Sequence, residues 1–490
     1  MKHKFKYLTL GLILSLGAGF ASCGSDDDEV VDPYASIYDK DKDKDKENGS
    51  ETDPEKQKAE EEKAAQEAEK QRQQQEERAK QRAADSISEA KADTISLEAL
   101  PRRSRIVGEL HVDGRYLKDE QGNIVNLHGI AQTYSPWFNR VNDQYLWNNY
   151  DVDGCLQVNQ SKLQKIYDHG WAIDFVRLHM DPHWTKVNAP WGSGENESHL
   201  YYSEENFRKY LDEVFVPMAE FMQDLGMRVL MRPPGVCPEV IALDDDYYKY
   251  MINVWTIVAQ HPKLKNNPMI MFELANEPVK FRASDGREGA SGGKIDEELS
   301  QYFQGIVDAI RAEGCNNILW VPGTSWQQDY RAYQKYPIKG DNIGYAVHCY
   351  PGWYGSDCYQ QTGEIAPDMW RGSAGGYKGF KKDWDNSITN VVADKNPIIV
   401  TEMDWCSQKF KGRTWGSSIT GTAGGKGFGA NFKRIMDETG NVSWLTFVWD
   451  HDLSNYDPAR KPSVKNFLYD PESGCMPVYR WFYQYWEDAE

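Results

Sequence analysis

Eight apolar, strand-like runs recur between residues 105 and 490: IVNLHGIA, IDFVRLHM, RVLMRPP, MIMFELANE, NILWVPG, IGYAVHCY, PIIVTEM and SWLTFVW. Amphipathic segments separate them, among them SEENFRKYLDEVFVPMAEFMQDLG, YYKYMINVWTIVAQH, IDEELSQYFQGIVDAIRAEG and FKKDWDNSITNVVAD. Strands alternating with helices over about 385 residues predict an α/β chain folded as one (β/α)8 TIM barrel with enlarged βα loops. A doubly wound open sheet is the alternative. It normally carries a Gly-rich turn after its first strand, and LHGIAQTY has none. Ahead of the first barrel strand, LHVDGRYLKDEQGNIVNLHG alternates apolar and polar residues around Asp113-Gly114 and predicts a short hairpin.

The packed part starts near residue 105, because aromatics make up 13% of the chain yet are nearly missing from its first hundred residues. Residues 1–22 read as a signal peptide: Lys2, Lys4 and Lys6 precede the apolar stretch YLTLGLILSLGAGF, which is short for a membrane span. It ends in Ala21-Ser22-Cys23, which resembles the lipobox of bacterial lipoproteins, so Cys23 is the expected lipidation site. An ordinary signal peptide with an incidental cysteine is the plainer alternative. The GSDDDE that follows resembles an acidic export signal, implying an outer-membrane, cell-surface location. Residues 23–104 form a charged linker too poor in apolar side chains to offset the entropy of ordering, disordered or a solvated helix that spaces the domain from its anchor. Its Ala/Glu/Gln-rich run has no apolar heptad seam, so a coiled coil is not expected and the protein is read as a monomer. A net charge of −19 argues against nucleic acid as a partner.

In a TIM barrel the site lies at the C-terminal ends of the strands. The polar residues there are Arg177 and His179 on the second strand, Arg232 on the third, Asn276 and Glu277 on the fourth, His348 and Tyr350 on the sixth, Glu402 on the seventh and Trp449 on the eighth. Residues two apart share a strand face, so Glu273 falls one layer below Glu277 and is read as a structural partner for a basic barrel residue. Glu277 precedes Pro278, which biases it toward extended backbone. Two carboxylates across a cleft, with Trp and Tyr about them, suit glycoside hydrolysis. Trp137, Trp147, Trp184, Trp191, Trp326, Trp353, Trp370, Trp405 and Trp415 fall in strand-to-helix segments and as a group suggest platforms for sugar rings.

FELANEP, VHCY and IIVTEMDW, in that order, resemble glycoside hydrolase family 5, the cellulase-like family of retaining barrels, over residues 105–490. The resemblance implies Glu277 as acid/base, Glu402 as nucleophile and Asn276 as the group that binds the hydroxyl beside the anomeric carbon. It implies that Arg177 and Tyr350 hold the nucleophile ionised, that His348 stands near the acid/base, and that Trp449 underlies the reacting sugar. A β-glycan is then the expected partner, and no metal or organic cofactor is required. One departure stands out: the family usually has a histidine at the end of strand three, where this chain has MRPPG, so either Arg232 occupies that place or the site is rebuilt. An endo-β-1,4-glucanase is the expected activity. A β-mannanase or xyloglucan-active enzyme, or a surface glycan-binding lipoprotein without turnover, are the alternatives.

Two other motifs carry less. NYDVDGCLQVNQ superficially follows a calcium loop but lacks an acidic first ligand and the bidentate Glu, so an Asx-rich loop is expected. GTAGGKGFG lacks the ending of a phosphate cradle and reads as a wall of the cleft. The cysteines beyond Cys23 are widely spaced, without a CxxC pair, and are expected mainly as buried thiols.

Overall fold

The computed structural model describes residues 106–132, 140–141, 144–145, 151–168, 171–190, 193–350, 352–356, 376–403 and 428–447, with Gln66 and Gln73 as single positions. Cys23, the linker, Trp449 and most of the glycine-rich run lie outside the described residues.

The eight runs form eight parallel strands of a closed barrel. They are β1 His128–Ala131, β2 Phe175–His179, β3 Arg228–Arg232, β4 Ile270–Glu273, β5 Ile318–Pro322, β6 Ile343–His348, β7 Ile398–Glu402 and β8 Val442–Thr446. Each strand pairs with its neighbours in chain order, and β8 closes on β1 through Trp444 opposite His128 and Thr446 opposite Ile130. Closure leaves no open edge and rules out the doubly wound alternative.

The helices that return the chain are α1 Val152–Asp168, α2 Glu204–Tyr210 continuing to Val216–Asp224, α3 Asp246–Gln260, α4 Lys294–Ala312, α5 Arg331–Lys335, α6 Gly376–Trp384 and α7 Phe428–Thr439. In α4 the buried Leu299, Phe303, Ile306, Val307 and Ile310 follow the helical period and form one apolar stripe against the barrel. Asp245 caps α3 by accepting the Tyr248 N–H at 2.6 Å. A π turn at Leu211–Phe215 interrupts α2 just before Pro217, whose missing N–H cannot continue the regular ladder.

Alternation sorts the strand side chains into two cores. Facing the helices are residues such as Val176, Leu178, Val229, Met231, Phe272, Val347, Val400 and Trp444. Inside the barrel lie Phe175, Leu230, Met271, Trp320, Ala346, Ile399 and Leu445. The large rings fit because glycines stand opposite them. A Cβ on Gly129 would come within 2.5 Å of the Phe175 ring, and one on Gly344 within 2.3 Å of Trp320.

The hairpin is present as His111–Asp113 against Tyr116–Lys118. Leu110, Leu117, Val125 and Leu127 join the barrel-interior cluster, and Val112 N–H donates to Asn342 Oδ1 at 2.9 Å just ahead of β6. It therefore plugs the end of the barrel away from the strand termini that face the site.

Of the expected Asx-rich loop at 149–160, the described residues, from 151 on, are instead the start of α1. Asp151 Oδ1 accepts the Gly154 N–H at 2.8 Å, so its carboxylate satisfies a free helix-terminal amide rather than an ion. Cys155 is buried, and Cys237, Cys315 and Cys349 are buried free thiols.

Candidate active site

Six of the predicted residues converge at the C-terminal mouth: Arg177, Asn276, Glu277, His348, Tyr350 and Glu402. Arg177 sits at their base, fully buried, at the third position of β2. Its Nε donates to Glu273 Oε2 at 2.6 Å, Nη1 to Glu402 Oε1 at 2.7 Å and Nη2 to Asn276 Oδ1 at 2.6 Å. Glu273 also accepts from Thr401 Oγ1 at 2.7 Å and from Gln327 Nε2 at 3.2 Å. A buried carboxylate held this way is satisfied and fixes the guanidinium in place.

A bulge brings Glu402 into the group. Val347 lies opposite Val400, but His348 lies opposite Glu402, so β7 has one more residue than β6 here. Thr401 can thus reach inward to Glu273 while Glu402, next in the chain, faces Arg177 and Tyr350. Tyr350 Oη donates to Glu402 Oε2 at 2.5 Å, and the Tyr350 ring is buttressed edge-on by buried Trp353 at 5.1 Å.

Glu277 lies beyond the end of β4. Its backbone is left-handed, with φ of 54°, and not the extended geometry expected ahead of Pro278. Contacts across the loop override the local preference: the Glu277 N–H donates to Gln327 Oε1 at 2.9 Å. In this conformation the carboxylate turns toward β6, with His348 Nδ1 at 3.1 Å from Glu277 Oε1 and 3.5 Å from Glu402 Oε2.

The two carboxyls are driven apart electrostatically. Burial pushes Glu277 above the ordinary carboxylate range, the charge of Glu402 adds to this, and the His348 hydrogen bond opposes it without reversing it. Burial pushes Glu402 upward too, but the charges of His348 and Arg177 and the hydrogen bonds from Tyr350 and Arg177 outweigh it and hold it below that range. One carboxyl is suited to carry a proton and the other to stay charged. Single ligand atoms of Glu277, His348 and Glu402 all lie within 4.8 Å of one another, a spacing that could also hold a cation. The Arg177 guanidinium already supplies the positive charge at Glu402.

His179 and Arg232 are register partners at the ends of β2 and β3, both buried. Arg232 Nη2 approaches Glu195 Oε2 at 3.5 Å, and Glu195 belongs to a loop braced by buried Lys186, whose Nζ donates to Gly194 O at 3.0 Å. Strand three therefore ends on an Arg–Glu pair. His179 faces Phe447 with ring centroids 6.2 Å apart, and burial beside Arg232 pulls its pKa well down. Among the described tryptophans, Trp184 is buried against Tyr210 and Trp353 against Tyr350, so both are packing residues and not platforms. Trp326 is half-buried, and Trp137, Trp147, Trp191, Trp370, Trp405 and Trp415 lie outside the described residues. Trp444 faces the helices, stacked on His128 at 4.2 Å.

Gln327, Thr401 and Glu195 escaped the sequence reading. Each sits in a loop or at a strand end, where no periodicity marks it.

A family model described as cellulase, glycosyl hydrolase family 5, matches residues 119–450. Among curated relatives, endoglucanase Z of Dickeya dadantii is 24% identical over 193 residues, covering 39% of this chain and 31% of that protein. Endoglucanase 5 of Pectobacterium carotovorum is 24% identical over 249 residues, covering 51% and 39%. The chain thus spans about a third of the length of these relatives. A β-glucanase of Saccharophagus degradans, solved with cellotetraose, is similar over 72% of this chain and 90% of that one, with 19% identity and a TM-score of 0.46.

Proposed function

The chain belongs to the cellulase family, glycosyl hydrolase family 5, and on that footing we propose that it is a retaining β-glycanase, an endo-β-1,4-glucanase in the first instance. The observation that carries this reading is the carboxyl pair: ligand atoms within 4.8 Å, with the pKa of Glu277 pushed up by burial and that of Glu402 held down by the charges and hydrogen bonds around it. Retaining sites place their carboxyls about 5–5.5 Å apart and inverting sites about 6.5–9.5 Å, to admit a water. This spacing favours direct attack.

Glu402 attacks the anomeric carbon while Glu277 protonates the departing oxygen, breaking the glycosidic bond and leaving a glycosyl ester on Glu402. Glu277, now a carboxylate, takes a proton from water, which attacks the same carbon and frees Glu402. Arg177 and Tyr350 keep Glu402 ionised and aligned throughout. Asn276, fixed by Arg177, presents its amide toward the sugar's neighbouring hydroxyl.

The test is covalent trapping with a fluorinated activated cellobioside. Mass spectrometry should find one glycosyl adduct, on Glu402. No adduct, with hydrolysis continuing, would sink the retaining mechanism, and no turnover on any glycan would favour the binding-protein alternative. Product profiles on β-glucan, mannan and xyloglucan assign the sugar.

The Lys-rich start, the apolar stretch and Ala21-Ser22-Cys23 support a lipid anchor at Cys23, with residues 23–104 as a spacer on the outer-membrane surface. Among the described residues no helix is long and apolar enough to cross a membrane. Fatty-acid labelling that persists in Cys23→Ser would count against the anchor.

A further inference from the structure

We infer that Gln327, in the loop after β5, is a positioning residue that holds the acid/base Glu277 in its left-handed conformation and ties it to the network around Glu402. This rests on the reading of Glu277 as the acid/base.

Four non-glycine residues with positive φ meet at one place: Glu277 at 54°, Ser325 at 53°, Trp326 at 58° and Gln327 at 60°. Side chains rarely adopt this backbone, and a consecutive run of three persists only where surrounding contacts impose it. Those contacts are hydrogen bonds from the β5 loop to the chain at Glu277. The Ser325 N–H donates to Val279 O at 3.0 Å and the Trp326 N–H to Pro278 O at 3.0 Å. The Glu277 N–H is taken by the Gln327 side chain, at 2.9 Å to Oε1. The loop itself is closed by Thr324 N–H to Asp329 O at 3.1 Å and Asp329 N–H to Thr324 O at 3.0 Å.

The other end of the Gln327 amide points into the barrel. Nε2 donates to Glu273 Oε1 and to Ala346 O, both at 3.2 Å. Glu273 binds Arg177, and Arg177 binds Glu402. A continuous chain therefore runs from the acid/base backbone through Gln327, Glu273 and Arg177 to the nucleophile. Only an amide serves at this point, since it must accept from a backbone N–H on one side and donate to a carboxylate on the other. Without it the Glu277 peptide loses the bond that opposes its preference ahead of Pro278, and the carboxyl drifts from its place beside His348.

The experiment compares Gln327→Leu and Gln327→Gly with the parent enzyme on a cello-oligosaccharide, which needs protonation of its leaving group, and on dinitrophenyl β-cellobioside, which does not. A misplacement on the order of 1 Å costs roughly a hundred-fold in such a step. We expect kcat/KM on the oligosaccharide to fall by about that factor, with the activated substrate far less affected and the alkaline limb of the pH profile displaced. Gly is included because it takes a φ of 60° without strain, so it deletes the side chain while sparing the backbone. Equal losses on both substrates, no loss on either, or failure of both variants to fold would each overturn the positioning role. Glu277→Gln is run alongside: if it shows no dependence on the leaving group, the acid/base reading falls, whereas a normal result there with a flat Gln327 response removes only this inference.

Discussion

Arg177 Nη1 stands 2.7 Å from Glu402 Oε1, with both side chains withdrawn from solvent. The same guanidinium holds Glu273 at 2.6 Å, so one cation balances two buried carboxylates. Its pKa is lowered by burial but raised further by those two charges, and the net shift is upward. The site's electrostatics hang on this group.

Arg177→Met would leave Glu273 and Glu402 without their cation. Breaking a buried ion pair from one side costs about 3–5 kcal/mol. A loss of that size in urea denaturation, with near-complete loss of turnover, is the expected outcome. Arg177→Lys should recover part of the stability but little activity, because one ammonium cannot reproduce the three directed bonds of the fork.

Glu402→Gln should nearly abolish turnover while glycan affinity, measured by calorimetry, stays measurable. Glu277→Gln should spare substrates with good leaving groups and damage poor ones, by about a hundred-fold or more. Equal damage on both kinds would count against the acid role.

The pH profile follows from the opposed shifts. Glu402 must be ionised to attack, and its lowered pKa puts the acid limb below the ordinary carboxylate range. Glu277 must be protonated to donate, and its raised pKa carries the alkaline limb above that range. Activity falls as pH drops through the first and as it rises through the second. Tyr350→Phe removes a donor to the ionised nucleophile, so the acid limb should move up and the rate fall about ten- to a hundred-fold, the value of a hydrogen bond to a charged group.

Gly344→Ala tests the barrel interior. The added methyl would meet the Trp320 ring at 2.3 Å and Pro397 O at 2.9 Å. Overpacking of this kind costs about 1–3 kcal/mol, to be read from thermal melts. An unchanged Tm would mean that the ring can move aside.

How much of this was legible beforehand differs by residue. The strand runs and the segments between them were readable because alternation and helical spacing are local properties of the chain. The same alternation put Arg177 and His179 on one face and Glu273 below the rim, where it pairs with Arg177. Asn276-Glu277-Pro278 and Glu402 were conspicuous as polar groups closing apolar runs. The loop assigned to 149–160 failed because Asp151 and Asp153 also suit a helix start, and only the packed α1 decides between the two. Extended geometry for Glu277 failed because the Pro278 preference is weaker than the bonds the β5 loop makes to it.

The sequence alone determined the order of strands, the apolar periods and the chemical groups at each strand end. Tertiary structure decided which of those groups meet. The β7 bulge that sets Glu402 level with His348 exists only in the register between two strands, and the Gln327 bridge joins loops 50 residues apart. Such contacts leave no periodic trace, because they depend on how the barrel closes and not on any neighbour in the chain.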